Sequence, residues 1–115
     1  MSPRDLRVRL GDVLSPIEAI FPYMEGMSET DFFADQLRID AVIRNVEIIG
    51  EAAANIPEEI REKHSDVPWQ DMKRIRNGVA HISFGIDLVA MWKTIQHDLP
   101  PLVPQLRAIL HNLDT

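Results

Sequence analysis

The chain has 115 residues, a length that suits one domain, and its 12 Lys and Arg against 18 Asp and Glu give a net charge of −6. Its 45% apolar content indicates a folded globule rather than a disordered chain, and the absence of cysteine excludes a disulfide scaffold, a thiol nucleophile and a cysteine zinc site. The acidic charge argues against tight, non-specific binding of nucleic acid. No apolar run resembles a signal core or a membrane span, so a cytoplasmic protein is expected.

The first half of the chain predicts two long amphipathic helices. In the first, apolar residues recur at steps of four and three over Leu6–Met24. Pro16 lies inside this pattern and should kink or split the helix, because proline removes one main-chain hydrogen bond. Phe32 and Phe33 predict a short helical piece over the core. A second helix is expected over about Asp35–Asn55. Its apolar face consists of Ile39, Val42, Ile43, Val46, Ile49 and Ala53.

The second half of the chain predicts shorter helices. Pro57 opens a helix that ends at Lys63, and the sequence of residues 65–68 is the start signal of another helix. The apolar stripe of Leu88–Leu113 is interrupted by Pro100-Pro101, which predicts two consecutive helices or one sharply bent helix. Since no segment has the alternation of a strand, we predict one all-α domain over residues 1–115, an antiparallel helical bundle.

The four histidines do not have the spacing of a metal site. Two ligands on one face of a helix must be three or four residues apart, and no pair of histidines meets this condition. The histidines are His64, His81, His97 and His111. No glycine-rich phosphate loop and no Gly-x-Ser-x-Gly turn is present. We therefore expect neither a metal ion nor a cofactor.

Residues 73–81 concentrate three cations, an amide and a histidine in an otherwise acidic chain. They are Lys73, Arg74, Arg76, Asn77 and His81. On a helix Asn77 and His81 share a face, whereas Arg76 lies about 140° away from His81. Gly78, between them, allows close approach of another backbone. Spacing alone favours a surface ion pair for Arg76 and a cation at a helix C-terminus for His81.

The order of residues in this segment is a more specific signal than their spacing. Arg76-Asn77-Gly78-Val79-Ala80-His81 is similar to the Arg-Asn-x-x-x-His motif of HEPN domains. Four other segments accompany this motif. Upstream of it lie Asp40–Ala52 and Val67-Pro68-Trp69, and downstream of it lie Phe84–Asp87 and Asp98–Leu102. Together these motifs resemble, in order and spacing, the HepT branch of the HEPN superfamily, toxins that are paired with minimal nucleotidyltransferase antitoxins. The resemblance covers essentially the whole chain.

The resemblance implies an all-α HEPN-like fold and a metal-independent endoribonuclease that acts on RNA as a homodimer. The motifs of two chains would meet at one cleft, where one His81 is the base for the 2′-hydroxyl and the other is the acid for the leaving oxygen. Arg76 would bind phosphate oxygens through its forked donors, and Asn77 would orient His81 or bind the phosphate. Gly78 would let the two helices approach, and Lys73 would add to the positive field.

A second polar group lies on the predicted helix of residues 35–55. Asp40, Arg44, Glu47 and Glu51 follow one another at steps of four, three and four, which places them on one face opposite the apolar residues. One interpretation is a solvated face with weak ion pairs. The other follows from the resemblance: this face borders the cleft, and Asp40 or Arg44 positions Arg76. Both interpretations stay open for Asp40, Arg44 and Glu51.

Ser83 departs from the pattern of the family. HepT proteins of this kind usually have tyrosine two residues after the motif histidine, where the antitoxin attaches AMP, and this chain has Ser83 there. Control by AMP transfer is therefore in question at this position. The departure favours an alternative function, a non-catalytic HEPN-like module that binds a nucleotidyltransferase partner or a nucleotide. A purely structural helical bundle is a third interpretation.

Overall fold

The computed structural model describes residues 2–74 and 88–113 of the chain, and these residues form helices joined by short turns. The helices are α1 (Pro3–Met24), α2 (Glu29–Phe33), α3 (Gln36–Ala54), α4 (Glu58–Lys63), α5 (from residue 69, described as far as residue 74), α6 (Leu88–Lys93) and α7 (Leu102–Leu113). A π-helical turn, Thr94–Asp98, continues α6. The described ranges contain no strand, and the predicted all-α class is confirmed.

Helix α1 begins at a side-chain cap and runs for 22 residues. The hydroxyl of Ser2 accepts a hydrogen bond from the main-chain N–H of Asp5 at 3.1 Å, which satisfies one of the free donors of the first turn. The split considered at Pro16 does not occur, because α1 continues through that residue. Pro16 is buried, as are Val13 and Ile17 beside it. Burial of this face therefore holds the helix together where one main-chain hydrogen bond is missing.

Helix α3 has the bounds that the sequence predicts to within one residue. Asp35 caps its start by accepting a hydrogen bond from the main-chain N–H of Arg38 at 3.2 Å, and Asn55 is its C-cap. The guanidinium of Arg38 also donates to the main-chain oxygen of Tyr23, while Arg9 donates to the main-chain oxygen of Asn55. Each end of α1 is thus joined to the opposite end of α3, and the two helices are antiparallel.

The core lies along α1, which packs against both α3 and α7 through apolar faces. The predicted face of α3 is confirmed, since all of its residues except the half-buried Ile43 are buried. Helix α2 closes one side of the core. Phe32 is fully buried there, with its ring centroid 5.8 Å from that of Trp92 on α6, and Phe33 lies edge-on to the same indole. The short helix predicted at Phe32 and Phe33 is confirmed.

The C-terminal segment forms two consecutive helical pieces, one of the two arrangements that Pro100-Pro101 predicted. The N–H of Leu99 donates to the oxygen of Thr94 at 3.2 Å, the wider spacing of a π-helix. After the two prolines, the N–H of Leu102 donates to Leu99 and α7 begins. None of the helices within residues 2–74 and 88–113 is both long and apolar enough to cross a membrane.

Candidate functional site

The central motif of the predicted site lies outside the described residues. Arg76, Asn77, Gly78, His81 and Ser83 all fall within residues 75–87. The structure describes the start of the helix that leads into the motif and the outer face of α3. Those two surfaces carry Lys73, Asp40, Arg44 and Glu51, the other residues that the sequence singled out.

The start of α5 is held against the bundle by the buried side chains of its inner face. Trp69 and Met72 are buried in the core, and the indole Nε1 of Trp69 donates to the main-chain oxygen of His64 at 3.0 Å. From α7, the side-chain amide of Gln105 donates to the main-chain oxygen of Asp66 at 3.2 Å. These contacts attach the first turn of α5 to the bundle.

Two cations of the basic segment lie on this first part of α5. Lys73 is half-exposed and Arg74 is exposed. Nη2 of Arg74 lies 3.6 Å from Oδ1 of Asp71, three residues earlier on the same helix, and both side chains are more than half exposed. Such a pair contributes little to stability because water screens it. Arg74 is therefore engaged by its own helix, as expected of a surface arginine.

The polar face of α3 is solvent-facing, as its spacing predicts. Asp40, Arg44 and Glu51 are exposed, and Glu47 is half-buried. Nη1 of Arg44 lies 3.6 Å from Oε2 of Glu47, while Oδ1 of Asp40 accepts a hydrogen bond from Nε2 of Gln36 at 2.8 Å. The structure thus brings Arg44 and Glu47 together. In the part of the chain that it describes, no hydrogen bond or ion pair links this face to Lys73.

The other histidines and the carboxylates do not gather into a metal-binding group among the described residues. His64 is half-buried beside the start of α5, and His97 and His111 are exposed on the C-terminal helices. Trp69 is a core residue, and Trp92 is half-buried within the aromatic cluster with Phe32. Both tryptophans therefore pack in or against the core.

An open groove that the sequence does not predict lies between α1, the π-helical turn and α7. Its volume is about 530 Å³, and Phe21, Ile95 and Val103 contribute apolar surface to it. On its rim Nη2 of Arg107 donates to Oε1 of Glu18 at 3.0 Å, a contact between residues 89 positions apart. No periodicity or motif signals a pair at that distance, and none of the predicted site residues lines the groove.

Comparison with known proteins identifies the family. The model of a family described as "Ribonuclease HepT-like" matches residues 13–109, which include the start of α5, the motif at 76–81 and the polar face of α3. The chain belongs to the HepT-like ribonuclease family. The resemblance inferred from the sequence is confirmed, and membership of this family indicates a ribonuclease, with RNA as the class of substrate.

Relatives of this HepT-like chain carry matching names. A "Probable ribonuclease HepT" of Thermococcus cleftensis is 40% identical over 93 residues, which cover 81% of this chain and 84% of the relative. A "Putative RNase" of Caldanaerobacter subterraneus subsp. tengcongensis is 38% identical over 104 residues, covering 90% and 93%.

A third relative is longer. A "Gamma-glutamylcyclotransferase and putative RNase" of Methanocaldococcus jannaschii is 38% identical over 111 residues, or 96% of this chain, and the chain spans 50% of that protein's length. No solved structure matches the chain.

Proposed function

We propose that this HepT-like protein is a metal-independent endoribonuclease that cleaves RNA through the RNA's own 2′-hydroxyl. The observation that supports the proposal is the intact Arg-Asn-x-x-x-His at residues 76–81, inside the matched range of a ribonuclease family. Each residue type in the motif suits a separate requirement of the reaction. A cation must bind the phosphate, and groups that exchange protons near neutral pH must act on the two oxygens.

The proposed reaction proceeds in one displacement at phosphorus. A base removes the proton of the 2′-hydroxyl, whose oxygen attacks the adjacent phosphorus while the bond to the 5′-oxygen breaks. An acid gives a proton to that 5′-oxygen, so the products are a 2′,3′-cyclic phosphate and a 5′-hydroxyl. The phosphorane that forms between these states carries extra negative charge, which the two donors of the Arg76 guanidinium stabilise.

The need for both a base and an acid is the reason to propose a homodimer. One chain supplies one motif histidine, and a two-fold axis brings a second His81 to the same cleft. Asn77 then holds one imidazole in position or binds a phosphate oxygen. Gly78 allows the two motif segments to approach closely. Lys73, one turn before the motif, adds positive charge near the entering phosphates.

The supporting role of the α3 face is the second part of the proposal. Asp40 and Arg44 are exposed and engaged only by neighbours on their own helix within the described residues, so both side chains are available to groups outside it. We assign Asp40 or Arg44 to positioning Arg76, and Glu51 to the border of the cleft. The test is whether neutralising Asp40 changes the apparent affinity for RNA as well as the maximal rate.

The central experiment measures RNA cleavage by the purified protein in an excess of EDTA. We expect the wild type to cleave and to leave 2′,3′-cyclic phosphate ends. His81→Ala and Arg76→Ala should lose about 10²-fold to 10³-fold in rate, the usual cost of removing one transition-state donor. Arg4→Ala, which removes an exposed arginine of α1, is the matched control. Cleavage that stops in EDTA, or that persists in His81→Ala, contradicts the mechanism.

We further propose that the protein is the toxin of a toxin–antitoxin pair whose antitoxin is a minimal nucleotidyltransferase. Growth arrest on expression of this chain alone, relieved by co-expression of the partner, is the expected result.

Ser83 is the candidate position for modification because its hydroxyl replaces the usual tyrosine. Incubation with the partner and ATP followed by intact-mass measurement tests this, and Ser83→Ala identifies the residue. An unchanged mass together with inhibition means that complex formation alone controls the toxin.

Ser83 also favours a second candidate function. A HEPN-like module that binds a nucleotidyltransferase or a nucleotide without cleaving RNA needs no tyrosine and no pair of histidines. In that case the wild type fails to cleave RNA in any buffer but binds the partner, and His81→Ala binds equally well. Rates and binding measured on the same preparations therefore separate the two functions.

A further inference from the structure

The outer face of α3 carries one strongly exposed apolar side chain, Leu37, and two half-buried ones. Leu37 is 83% exposed, more than Val8 at 58% or Val89 at 48% among the described residues. Ala41 and Ile48 lie on the same side of the helix and are half-buried. By helix geometry Leu37 is about 160° around the axis from the buried Ile39. Helix α3 therefore has a buried apolar face toward α1 and, on its other side, a second apolar strip that is only partly covered.

We infer that this second strip is where two copies of the chain pack together, with α3 of one copy antiparallel to α3 of the other. The inference rests on the homodimer of the proposed function and names the surface through which it forms. The contact consists of Leu37, Ala41, Arg44 and Ile48, which we call the α3 seam. Leu37 is 83% exposed, so little of its side chain is buried within the described residues, and a second copy would bury it.

The spacing of the seam suits a two-fold axis. Its residues follow at steps of four, three and four, an order that is the same when read in either direction. When the helices run antiparallel around an axis between Ala41 and Arg44, Leu37 faces Ile48 of the second copy at both ends of the contact. Ala41, the smallest side chain of the seam, lies near the centre, where it permits an interaxial distance of about 8–10 Å.

The charges beside the seam are complementary under the same symmetry. Asp40 and Arg44 lie on one flank of α3, and the antiparallel arrangement brings Asp40 of each copy within one residue's rise of Arg44 of the other. Two ion pairs then form across the interface. Among the described residues Arg44 has an ion pair with Glu47 at 3.6 Å and is 67% exposed, so it can turn toward a new carboxylate. A parallel arrangement would instead place Arg44 against Arg44.

The experiment is sedimentation equilibrium of the full chain over a range of concentrations. Leu37→Glu should raise the dimer dissociation constant at least about tenfold, because it places two carboxylates in the apolar ends of the seam. Val8→Glu is the matched control, since it makes the same change at an exposed valine of α1 and should leave the dissociation constant unchanged. Far-ultraviolet circular dichroism verifies that both variants keep their helical content.

A charge exchange tests the direction of packing. Arg44→Asp alone should weaken the dimer by placing two carboxylates side by side, and the double variant Asp40→Arg with Arg44→Asp should restore most of the lost affinity. Recovery supports the antiparallel seam. A double variant as weak as Arg44→Asp overturns that geometry.

Two further outcomes overturn the inference itself. One is a wild type that remains monomeric at every concentration. The other is Leu37→Glu with wild-type dimerisation, including the case in which this variant loses only its nucleotidyltransferase partner. Neither outcome depends on RNA cleavage. A wild-type dimer that fails to cleave RNA contradicts the proposed function and leaves the seam in place, whereas an active protein whose dimer ignores Leu37→Glu contradicts only the seam.

Discussion

Arg9 on α1 and Asn55 at the end of α3 are joined by a hydrogen bond from Nη1 of the guanidinium to the main-chain oxygen, over 2.8 Å. Asn55 is the C-cap of α3, where the last carbonyl groups lack partners within the helix and the helix dipole favours a cation. At the other end of the helix pair, Nη1 of Arg38 donates to the main-chain oxygen of Tyr23 at 2.9 Å. Two arginines thus link α1 and α3, one near each end of the helix pair.

Replacing Arg9 tests the first of these links. We expect Arg9→Ala to lower the free energy of unfolding by about 1 kcal/mol, since the hydrogen bond involves a charged donor but lies at an exposed position. Urea unfolding followed by tryptophan fluorescence measures the change. Arg4→Ala, an exposed arginine on the same helix, should stay within about 0.5 kcal/mol of the wild type. Equal losses in the two variants would show that charge alone, rather than the contact with Asn55, is responsible.

The aromatic cluster provides a test of the core. Phe32→Ala should cost about 3–5 kcal/mol, because it leaves a cavity beside the ring of Trp92 at a site with no solvent exposure. Phe33→Ala removes the same atoms from a half-buried position and should cost clearly less. Urea unfolding measures the free energy of unfolding of both variants. Similar losses for the two variants would contradict the assignment of Phe32 alone to the core.

Pro22 offers a change in the opposite direction. It lies exposed in the last turn of α1, where it lacks an N–H that would donate to the preceding turn. Pro22→Ala should raise the free energy of unfolding by about 1–2 kcal/mol, less than the full cost of an internal proline because alanine leaves the unfolded chain freer. Pro16→Ala is the informative contrast, since that proline is buried and its loss also removes packing. A less stable Pro22→Ala would mean that its ring packs in the groove.

The sequence predicts those parts of the fold that depend on local pattern. Asp35 and Asn55 flank the apolar repeat of α3, and residues of this kind end helices by bonding to the main chain, so both bounds agree within one residue. The consequence of Pro16 could not be predicted, because burial of Val13 and Ile17 in the bundle outweighs one missing hydrogen bond. The pair of Glu18 and Arg107 depends on how α1 meets α7, which no local pattern contains.

The same distinction applies to the candidate site. The motif of Arg76, Asn77 and His81 is recognisable from the order of residue types alone, and it lies within the range that the family model matches. The exposed face of Asp40 and Arg44 follows from helical periodicity. In the structure Asp40 is paired with Gln36 and Arg44 with Glu47, each within four residues on the same helix. Several neighbouring side chains could have been the partner instead. Rotamer choice among such neighbours decides the contact, and sequence spacing does not.

Arg76→Lys tests whether geometry or charge matters at the motif. Lysine keeps the positive charge but has no forked donors, so it cannot match two phosphate oxygens at once. We expect the rate at saturating RNA to fall about 10²-fold, with a smaller change in the apparent affinity, because the donors act mainly on the charge that develops during the reaction. Arg4→Lys is the control for the substitution itself. Full activity in Arg76→Lys would reduce the role of this residue to a point charge.

Mixing wild-type chains with His81→Ala tests whether one cleft needs both histidines. If the two copies share a cleft in which one imidazole is the base and the other the acid, a mixed dimer has only one of them and should cleave about 10²-fold or more slowly. After unfolding and refolding of equal amounts together, about a quarter of the dimers are wholly wild type by random pairing of the two subunits. The mixture should therefore have about a quarter of the activity of the same total amount of wild-type protein.

If the two chains of a dimer act independently, the same mixture has a different RNA-cleaving activity. If each chain cleaves RNA with its own His81, the equal mixture keeps about half of the activity, because half of the chains are intact regardless of how they pair. A titration with increasing His81→Ala distinguishes the two cases further, since a shared cleft makes activity fall with the square of the wild-type fraction and separate sites make it fall in proportion. Adding Leu37→Glu to the inactive chain should reduce its effect, because that chain would enter dimers with the wild type less readily. A linear titration would exclude the shared cleft while leaving His81 as a catalytic residue of each chain.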